Sequence, residues 1–467
     1  MAEQFDVVVV GGGPGGYAAA LYGANAGLSI ALVEADKVGG TCLHRGCIPA
    51  KEFLETASVF RTVGGSDAFG VKAGAPDLDF SVSQARKAKV VDGLWKGLAG
   101  LMRSRKIKTI EGTGRLDGGG VVRADDGTEL VGTHTILAAG SIPRTLPGFE
   151  VDGRYVMTSD EVLMLESLPA SVAVIGGGAI GCEFASMMSD LGTQVTVLEA
   201  LPQILTGCDK EAVDVVLRSF KKRGLDIRTG VTVHGHRPDD SGTTVSFGEG
   251  ESVHVEAVVM SVGRAPRSEK LLGDGTGVTL DERGYVPVDG HMRTSAPGVY
   301  AVGDLVSVQG LAHPQLAHVG FAEGINVIKD ILGEPVVPID YLRVPWCIYC
   351  HPEVAFCGLT EEAARTSGYD VVTKKMPVGH NGRAMILGES EGMIKVVAAK
   401  GPDGRAGQVL GVHMVGPWVT EQLGQAYLSV NWEATVDEVA SFIQPHPTLS
   451  EVFGETMLAL TGRGLHG

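Results

Sequence analysis

A glycine pattern that occurs twice constrains the fold of this chain more than any other feature. In both copies an apolar run is followed by G-x-G-x-x-G, first in "VVVVGGGPGGYAAA" and again in "VAVIGGGAIGCEFA". The glycines are Gly11, Gly13 and Gly16 in the first copy and Gly176, Gly178 and Gly181 in the second. Each copy predicts a strand, a tight turn and a helix whose N-terminus faces a pyrophosphate. The chain is therefore expected to bind two dinucleotides.

A glutamate follows each glycine turn at the same distance. Glu34 lies 34 − 16 = 18 residues past the first turn, and Glu199 lies 199 − 181 = 18 residues past the second. Such a carboxylate binds ribose hydroxyls and repels a 2′-phosphate. Because "EALPQIL" offers no arginine near Glu199, the second site is expected to prefer NAD to NADP. Two dinucleotide sites in one chain suggest electron relay between a tightly held flavin and a diffusing nicotinamide.

Size and charge exclude several classes of protein. A chain of 467 residues is too long for one core and predicts two to four domains. A net charge of −16 argues against nucleic acid or an anionic membrane as the main partner. No apolar run is long enough to span a bilayer, and "MAEQFDVVVV" is neither a signal nor a transit peptide. We therefore expect a cytoplasmic protein that contacts neither membrane nor nucleic acid.

The segment "GGTCLHRGCIPAKE" sets two cysteines, Cys42 and Cys47, close to the first dinucleotide unit. In a regular helix their Cα atoms would lie about 8.6 Å apart, beyond the roughly 4.4–6.8 Å that a disulfide accepts. Gly46 and Pro49 break that regularity. A distorted turn before a helix that starts near Pro49 would bring the sulfurs together and place Cys47 at a helix N-terminus, where a thiolate is stabilised. Two unrelated free thiols remain the alternative from spacing alone.

Five further segments complete a resemblance that begins with "GGTCLHRGCIPAK". This stretch resembles the redox-active disulfide of the flavin-dependent pyridine nucleotide–disulfide oxidoreductases. The further matches are "TILAAGSIPR" (135–144), "SVGRAPR" (261–267), "TSAPGVYAVGDL" (294–305), "YCHPEVAFCGLTEEAA" (349–364) and "PHPTLSE" (445–451). The resemblance covers essentially the whole chain. Within the family it is strongest to enzymes that oxidise protein-bound dihydrolipoamide with NAD⁺ through FAD.

The resemblance implies a catalytic role for six residues. The substrate thiolate attacks Cys42, and the released Cys47 passes electrons to the flavin. His446 takes protons from the substrate thiols, since imidazole titrates near neutral pH, and Glu451 orients it. The family lysine near the flavin corresponds to Lys51, and its partner to Glu183. In the family the histidine reaches the disulfide of the other subunit, which implies a homodimer and, as a partner, the lipoyl-bearing subunit of a 2-oxo acid dehydrogenase-type complex.

The resemblance also implies two sets of cofactor contacts. The FAD set is Gly11, Gly13, Gly16, Glu34, Gly40, Thr41, Lys51, Gly114, Ala139, Asp304 and Ala317. The NAD set is Gly176, Gly178, Gly181, Glu199, Val231 and Gly263, although Val231 is equally well read as a plain strand residue.

The expected fold is α/β, with two Rossmann-like dinucleotide-binding domains and a C-terminal α+β dimerisation domain. The expected boundaries are residues 1–150 and 277–343 for the FAD-binding domain, 151–276 for the NAD-binding domain, and 344–467 for the interface domain with a helix around 419–431.

Other functions stay open. A reductase of a low-molecular-weight disulfide, of the glutathione or mycothiol type, is the main alternative; it usually takes NADPH, which Glu199 disfavours. A mercuric reductase would carry a C-terminal cysteine pair, which "TGRGLHG" lacks, and a soluble transhydrogenase would lack one active cysteine. A structural or regulatory flavoprotein would not need Cys42, Cys47 and His446 together.

Several positions depart from the family pattern. Gln444 stands where a second histidine is common, and Leu-Ala-His occurs twice, at 311–313 and 316–318, with the second copy expected to match the family. The Cys-x-x-Cys at Cys347 and Cys350 has no partner pair for zinc, so no metal is expected and two structural thiols are the better interpretation.

Overall fold

The computed structural model describes residues 2–308 and 313–466. Leu311 and Ala312 of the first Leu-Ala-His copy lie outside this range, whereas His313 lies within it. The helices are α1 (Pro14–Asn25), α2 (Gly40–Arg45), α3 (Cys47–Gly64), α4 (Phe80–Ser104), α5 (Ser159–Val162), α6 (Ala179–Asp190), α7 (Lys210–Lys222), α8 (Ala317–Ile331), α9 (Glu361–Thr366), α10 (Gly382–Leu387), α11 (Val419–Asn431), α12 (Val436–Ala440) and α13 (Glu451–Leu460).

The strands are, in chain order, β1 (Glu3–Val10), β2 (Ile30–Glu34), β3 (Lys108–Glu111), β4 (Gly114–Asp117), β5 (Val121–Ala124), β6 (Glu129–Leu137), β7 (Ser141–Pro143), β8 (Val156–Met157), β9 (Ser171–Ile175), β10 (Gln194–Glu199), β11 (Asp226–Thr229) and β12 (Val233–Asp239). They continue with β13 (Gly242–Phe247), β14 (Glu251–Val255), β15 (Ala257–Met260), β16 (Arg264–Pro266), β17 (Val286–Val288), β18 (Val299–Ala301), β19 (Val306–Val308), β20 (Trp346–Ile348), β21 (Glu353–Gly358), β22 (Val371–Pro377), β23 (Met393–Lys400) and β24 (Ala406–Gly416).

The chain forms two compact units. The first comprises Met1–Phe53, Phe80–Arg144 and Gly263–Tyr341, and the second comprises Leu54–Asp79, Thr145–Val262 and Leu342–Gly467. Both units combine helices with sheets, so the predicted α/β class is confirmed. The bounds of the four expected segments remain a prediction.

The first unit is organised by one large sheet of order β3-β2-β1-β6-β5-β4, with β18 paired to the C-terminal half of β6. Strands β3, β2, β1, β6 and β18 run parallel, whereas β4, β5 and β6 are joined antiparallel. The run Val7–Val10 in β1 is at most 3% exposed. A strand with parallel neighbours on both sides is covered by helices on both faces, which explains the uninterrupted valines.

Helices α1 and α8 pack closely in the first unit because both carry glycine at their contact. A Cβ atom on Gly324 of α8 would lie 2.3 Å from the carbonyl oxygen of Gly15 and 3.0 Å from the amide nitrogen of Ala19. The first distance is too short for a non-bonded contact and the second is tight, so a side chain at position 324 would force the two helices apart.

We therefore expect Gly324→Ala to destabilise the protein by about 1–3 kcal/mol, as overpacking does. The matched control is Gly93→Ala in α4, because a Cβ there meets no atom within 4 Å. That control should stabilise the helix by roughly 0.5–1 kcal/mol. Urea unfolding followed by circular dichroism compares the two variants. A Gly324→Ala midpoint at or above the wild-type value would show that the helices are not held by this contact.

The second unit contains two large sheets. One is the parallel sheet β11-β10-β9-β15-β8, in which β9 precedes the second glycine turn. The other is the antiparallel sheet β20-β21-β24-β23-β22, against which α11 and α13 pack. The predicted helix around 419–431 is confirmed by α11. No helix of the described residues combines the length and the apolar character that a membrane span requires.

Candidate active site

The two glycine turns have nearly the same backbone geometry. Gly11 has φ +104° and Gly176 has φ +105°, a left-handed conformation that disfavours any side chain. The third glycine of each turn touches the first: a Cβ on Gly16 would lie 1.9 Å from the Gly11 oxygen, and one on Gly181 would lie 2.0 Å from the Gly176 oxygen. Each turn therefore requires glycine at these positions, as the dinucleotide pattern predicts.

The two predicted ribose-binding carboxylates lie beside their turns. Glu34 Oε2 accepts a hydrogen bond from the Gly12 amide at 2.6 Å, and Glu199 Oε2 accepts one from the Gly177 amide at 2.6 Å. Space is open at the middle glycine, since a Cβ on Gly178 would meet no atom within 4 Å. The open turn, the helix N-terminus and the fixed carboxylate fit a dinucleotide at each site.

The cysteine segment is divided between two helices rather than lying in one. Helix α2 ends at Arg45, and α3 begins at Cys47. The expected start near Pro49 is wrong by two residues, whereas the expected position of Cys47 at a helix N-terminus is confirmed. A Cβ on Gly46 would lie 3.0 Å from the Thr41 oxygen and 3.4 Å from the Cys42 Cα. Glycine at position 46 thus lets the chain turn back tightly over Cys42.

This turn brings the two thiols together. The disulfide between Cys42 and Cys47 stays a prediction. The hydrogen bond of the Cys42 thiol with Cys47, together with burial, raises the pKa of Cys42 above that of an ordinary thiol, and the charge of Lys51 acts in the opposite direction. The structure therefore brings Cys42 and Cys47 together, as the sequence predicted, and places Lys51 in the same cluster.

The cysteine segment lies directly against the first glycine turn. The Gly39 amide donates to the Gly12 oxygen at 2.8 Å, and a Cβ on Gly40 would lie 2.6 Å from the Gly13 Cα. The inference that the thiols accompany the first dinucleotide unit is thus supported by direct backbone contact.

Tyr17 belongs to the same cluster and was missed by the sequence analysis. Burial and the nearby Cys42 and Cys47 raise its pKa to about 12, so its hydroxyl stays protonated. Its ring contacts that of Phe321 at a centroid distance of 5.4 Å. Tyr17 directly follows the third glycine, but no spacing rule marks that position.

Asp304 is oriented by two residues that are distant in sequence. The Ser141 hydroxyl donates to Asp304 Oδ2 at 2.6 Å, and Arg264 Nε donates to the Ser141 hydroxyl at 2.6 Å.

The other predicted FAD contacts lie at the ends of strands and helices. Asp304 lies in a short 3₁₀ turn after β18, and Ala317 is the first residue of α8. Ala139 follows β6, and Gly114 opens β4 against the Val10 side chain. The whole predicted FAD set lies in the first unit, together with Cys42 and Cys47. Of the NAD set, Gly263 lies in the first unit and the other residues lie in the second, as does Glu183.

His446 and Glu451 form a pair in the second unit. His446 Nδ1 lies 2.8 Å from Glu451 Oε1, and the Thr448 amide donates to Glu451 Oε2 at 2.7 Å. Burial alone would raise the pKa of Glu451, but the hydrogen bonds from Thr448 and His446 outweigh it and lower that pKa. The carboxylate is therefore ionised at neutral pH. The His446 side chain is 78% exposed and Glu451 23%, so the imidazole faces solvent on a fixed support.

The remaining predicted residues are placed as follows. Glu183 is buried in α6, where Oε1 accepts the Tyr349 amide at 2.9 Å. Its expected pairing with Lys51 stays a prediction. Val231 lies between β11 and β12, where its amide donates to the backbone carbonyl oxygen of Glu199 at 3.0 Å. Gly263 has φ +96°. Gln444, in place of the second family histidine, lies against Gly454 of α13.

The other cysteines behave as packing residues. Cys182, Cys208 and Cys350 are at most 4% exposed, and burial raises their pKa values, which keeps them as thiols. Cys347 is half-buried in β20. Among the described residues no group of three or more His, Cys, Asp or Glu side chains is arranged to hold a metal ion.

Known proteins resemble the chain over its whole length. A dihydrolipoyl dehydrogenase of Bacillus subtilis is 41% identical and one of Zymomonas mobilis is 38% identical, each over all of both chains. Among solved structures, LpdA from Mycobacterium tuberculosis superimposes with a TM-score of 0.89 at 26% identity, covering 98% of this chain and all of its own. The HOCl-induced flavoprotein disulfide reductase RclA from Escherichia coli gives 0.85 at 26% identity, covering 97% of this chain and 99% of its own.

Two family domains account for most of the sequence. Residues 5–324 match the pyridine nucleotide-disulphide oxidoreductase domain, and residues 344–457 match the dimerisation domain of the same family. The second match supports a homodimer, as the sequence resemblance implied. With the duplicated glycine turns, the thiol pair on the first of them and the His446–Glu451 pair already in place, the chain belongs to the pyridine nucleotide-disulphide oxidoreductase family.

Proposed function

We propose that this protein oxidises protein-bound dihydrolipoyl groups to lipoyl groups with NAD⁺, using FAD and a Cys42–Cys47 disulfide. The observation that carries the proposal is the thiol pair, which lies on the first dinucleotide turn beside Lys51. Full-length identity of 41% to a dihydrolipoyl dehydrogenase indicates the substrate class. The absence of a lysine or arginine between Glu199 and Thr206 favours NAD⁺ over NADP⁺.

In the proposed reaction the electrons leave the substrate through sulfur. A thiolate of the dihydrolipoyl group attacks Cys42, the bond between Cys42 and Cys47 breaks, and Cys47 leaves with the electron pair. The second substrate thiolate then attacks the substrate sulfur bound to Cys42, which closes the lipoyl disulfide and releases Cys42 as a thiolate. The substrate has lost two electrons and two protons, and the cysteine pair has gained two electrons. FAD, when bound, would supply the redox chemistry that links the reduced cysteine pair to NAD⁺.

Two side chains and a helix N-terminus transfer the protons and stabilise the charges in these steps. His446 removes protons from the substrate thiols, and the ionised Glu451 stabilises the imidazolium that results. The dipole at the N-terminus of α3 stabilises the Cys47 thiolate as it leaves. Glu34, Asp304 and the first glycine turn would hold FAD, and Glu199 with the second turn would hold NAD⁺. In a homodimer, His446 would remove protons from the substrate bound at the cysteine pair of the second copy.

The proposed partner is the lipoyl-bearing subunit of a 2-oxo acid dehydrogenase-type complex, because a protein-bound dihydrolipoyl group has to be presented to the cysteines. A cytoplasmic location is part of the proposal. In a reducing compartment a disulfide is more often catalytic than structural, and the other cysteines of the chain remain thiols.

Steady-state rates with several substrates test which dithiol or disulfide the enzyme uses. Dihydrolipoamide is offered with NAD⁺ and with NADP⁺, and lipoamide, glutathione disulfide and mycothiol disulfide are each offered with NADH and with NADPH. We expect fast turnover with the lipoamide couple and NAD(H). Inert lipoamide beside rapid reduction of a low-molecular-weight disulfide would replace the proposal by the reductase alternative.

Glu199→Ala tests the nicotinamide site. Loss of the carboxylate that accepts hydrogen bonds from the ribose should raise the KM for NAD⁺ by about tenfold or more. It should also reduce the preference of the enzyme for NAD⁺ over NADP⁺. Glu34→Ala, which removes the equivalent carboxylate at the first turn, should instead weaken FAD retention. Steady-state kinetics and the flavin content of the purified variants distinguish the two. The same effect from both substitutions would contradict the assignment of one dinucleotide to each turn.

A further inference from the structure

A fully buried carboxylate in α8 is the meeting point of three segments of the first unit. Glu323 is 0% exposed, and its Oε2 accepts the Gly303 amide at 2.6 Å. Its Oε1 accepts the Tyr341 hydroxyl at 2.6 Å and lies 2.9 Å from His313 Nε2. A buried carboxylate is costly unless it is well hydrogen-bonded, and these three donors meet that requirement.

The hydrogen bonds of His313 define its tautomer. The side chain is 1% exposed, and its Nδ1 accepts the Gln315 amide at 3.0 Å. Because Nδ1 accepts, Nε2 carries the proton and donates it toward Glu323. His313 therefore connects the carboxylate of α8 to the backbone of the segment that leads into α8. This histidine belongs to the first of the two Leu-Ala-His copies, whereas the second copy is the one expected to match the family.

Gln315 is held in an unusual conformation. Its φ is +53°, in the left-handed region that non-glycine residues rarely adopt. Its amide is fixed by His313, and its side-chain nitrogen lies 3.5 Å from the Tyr285 hydroxyl. Backbone strain of this kind persists only where the surroundings determine it.

The anchored residues are adjacent to two of the proposed FAD contacts. Gly303 directly precedes Asp304, and Gln315 lies two residues before Ala317. We propose that Glu323, with His313 and Tyr341, is a positioning residue for FAD that holds the Asp304 turn and the start of α8 in the geometry that binds the cofactor. The inference rests on the proposed function, because it assumes that the first unit binds FAD.

A second cluster on the same helix provides a matched control. Asp330 Oδ2 accepts the Tyr300 hydroxyl at 2.9 Å, and Asp330 Oδ1 lies 3.0 Å from His291 Nδ1. This cluster also joins a tyrosine and a histidine to a carboxylate of α8. Among the described residues, the hydrogen bonds of Asp330 go to His291, Arg293 and Tyr300, and none reaches the Gly303 amide or residues 313–316. Loss of the Tyr300 hydroxyl should therefore affect stability without affecting the cofactor.

The test compares Tyr341→Phe with Tyr300→Phe in the holoenzyme. After dilution, release of FAD is followed by the rise of flavin fluorescence, and the thermal midpoint is measured in parallel. We expect both variants to lose similar thermal stability, since each loses one hydrogen bond to a carboxylate. Tyr341→Phe should release FAD about tenfold or more faster than wild type, the range for a hydrogen bond to a charged group, whereas Tyr300→Phe should release it at the wild-type rate.

Two further variants keep the test decisive. Glu323→Gln should accelerate release by about ten- to a hundredfold, and His313→Gln should accelerate it where the matched His291→Gln does not. Equal release from Tyr341→Phe and Tyr300→Phe, in a wild type that retains FAD, would overturn this inference and leave the proposed function standing. A wild-type protein that binds no FAD would overturn the proposed function, and this inference with it.

Discussion

A Cys47→Ser variant is expected to lose NAD⁺-dependent oxidation of dihydrolipoamide by about three orders of magnitude or more, while retaining FAD. Serine cannot form or accept a disulfide, so the substrate has no route for its electrons. The hydroxyl is close in size to the thiol, and position 47 begins α3 rather than filling a core. Folding and cofactor binding should therefore persist. Steady-state kinetics and the visible absorbance of the purified variant measure both properties.

Cys347→Ser is the matched control for this substitution. Cys42, Cys47 and Cys347 are the half-buried cysteines among the described residues, and Cys347 lies in β20 outside the proposed site. Its replacement should leave turnover close to wild type. Turnover that survives in Cys47→Ser would remove this thiol from the reaction. Loss of FAD from the same variant would assign Cys47 a structural role instead.

His446→Gln is expected to reduce turnover by about a hundred- to ten-thousandfold, the contribution of a well-placed general base. The amide of glutamine preserves polarity and approximate length but cannot take a proton from a thiol. Glu451→Gln should have a smaller effect of about tenfold or more, because it removes a charged hydrogen-bond partner and leaves the imidazole. Since the pKa of Glu451 is lowered, this loss should be constant from neutral to alkaline pH.

His466→Gln controls for the loss of a histidine–glutamate pair at the surface. His466 Nδ1 lies 3.2 Å from Glu455 Oε1, and Glu455 lies on α13 as Glu451 does. The side chains of His466 and His446 are 76% and 78% exposed, so the two pairs are closely comparable. Equal rates for the two glutamine variants would remove the proton-transfer role from His446.

Local patterns in the sequence predict the parts of the site that depend on local geometry. The glycine turns, the glutamates 18 residues beyond them and the placement of Cys47 at a helix N-terminus each involve fewer than about 25 consecutive residues. Within such a window, turn geometry and strand–helix alternation restrict the backbone to few conformations. The class of fold and both dinucleotide sites could therefore be predicted, as could the proximity of Cys42 to Cys47.

Long-range contacts could not be predicted in this way. Ser141 reaches Asp304 across 163 positions and Arg264 reaches Ser141 across 123. No spacing rule links these residues, because the fold of the whole first unit brings them together. The helix start at Cys47 rather than near Pro49 was missed because proline is tolerated throughout the first turn of a helix, and so does not mark its first residue.

Anaerobic reductive titration, followed by visible absorbance, tests the central claim most directly. A cysteine pair in electronic contact with FAD stores one electron pair, and the flavin stores another. The purified protein should therefore take up two electron pairs per FAD, the first producing a long-wavelength absorption band and the second bleaching the flavin. Uptake of a single pair, with immediate bleaching and no long-wavelength band, would contradict the proposal that Cys42 and Cys47 carry the electrons.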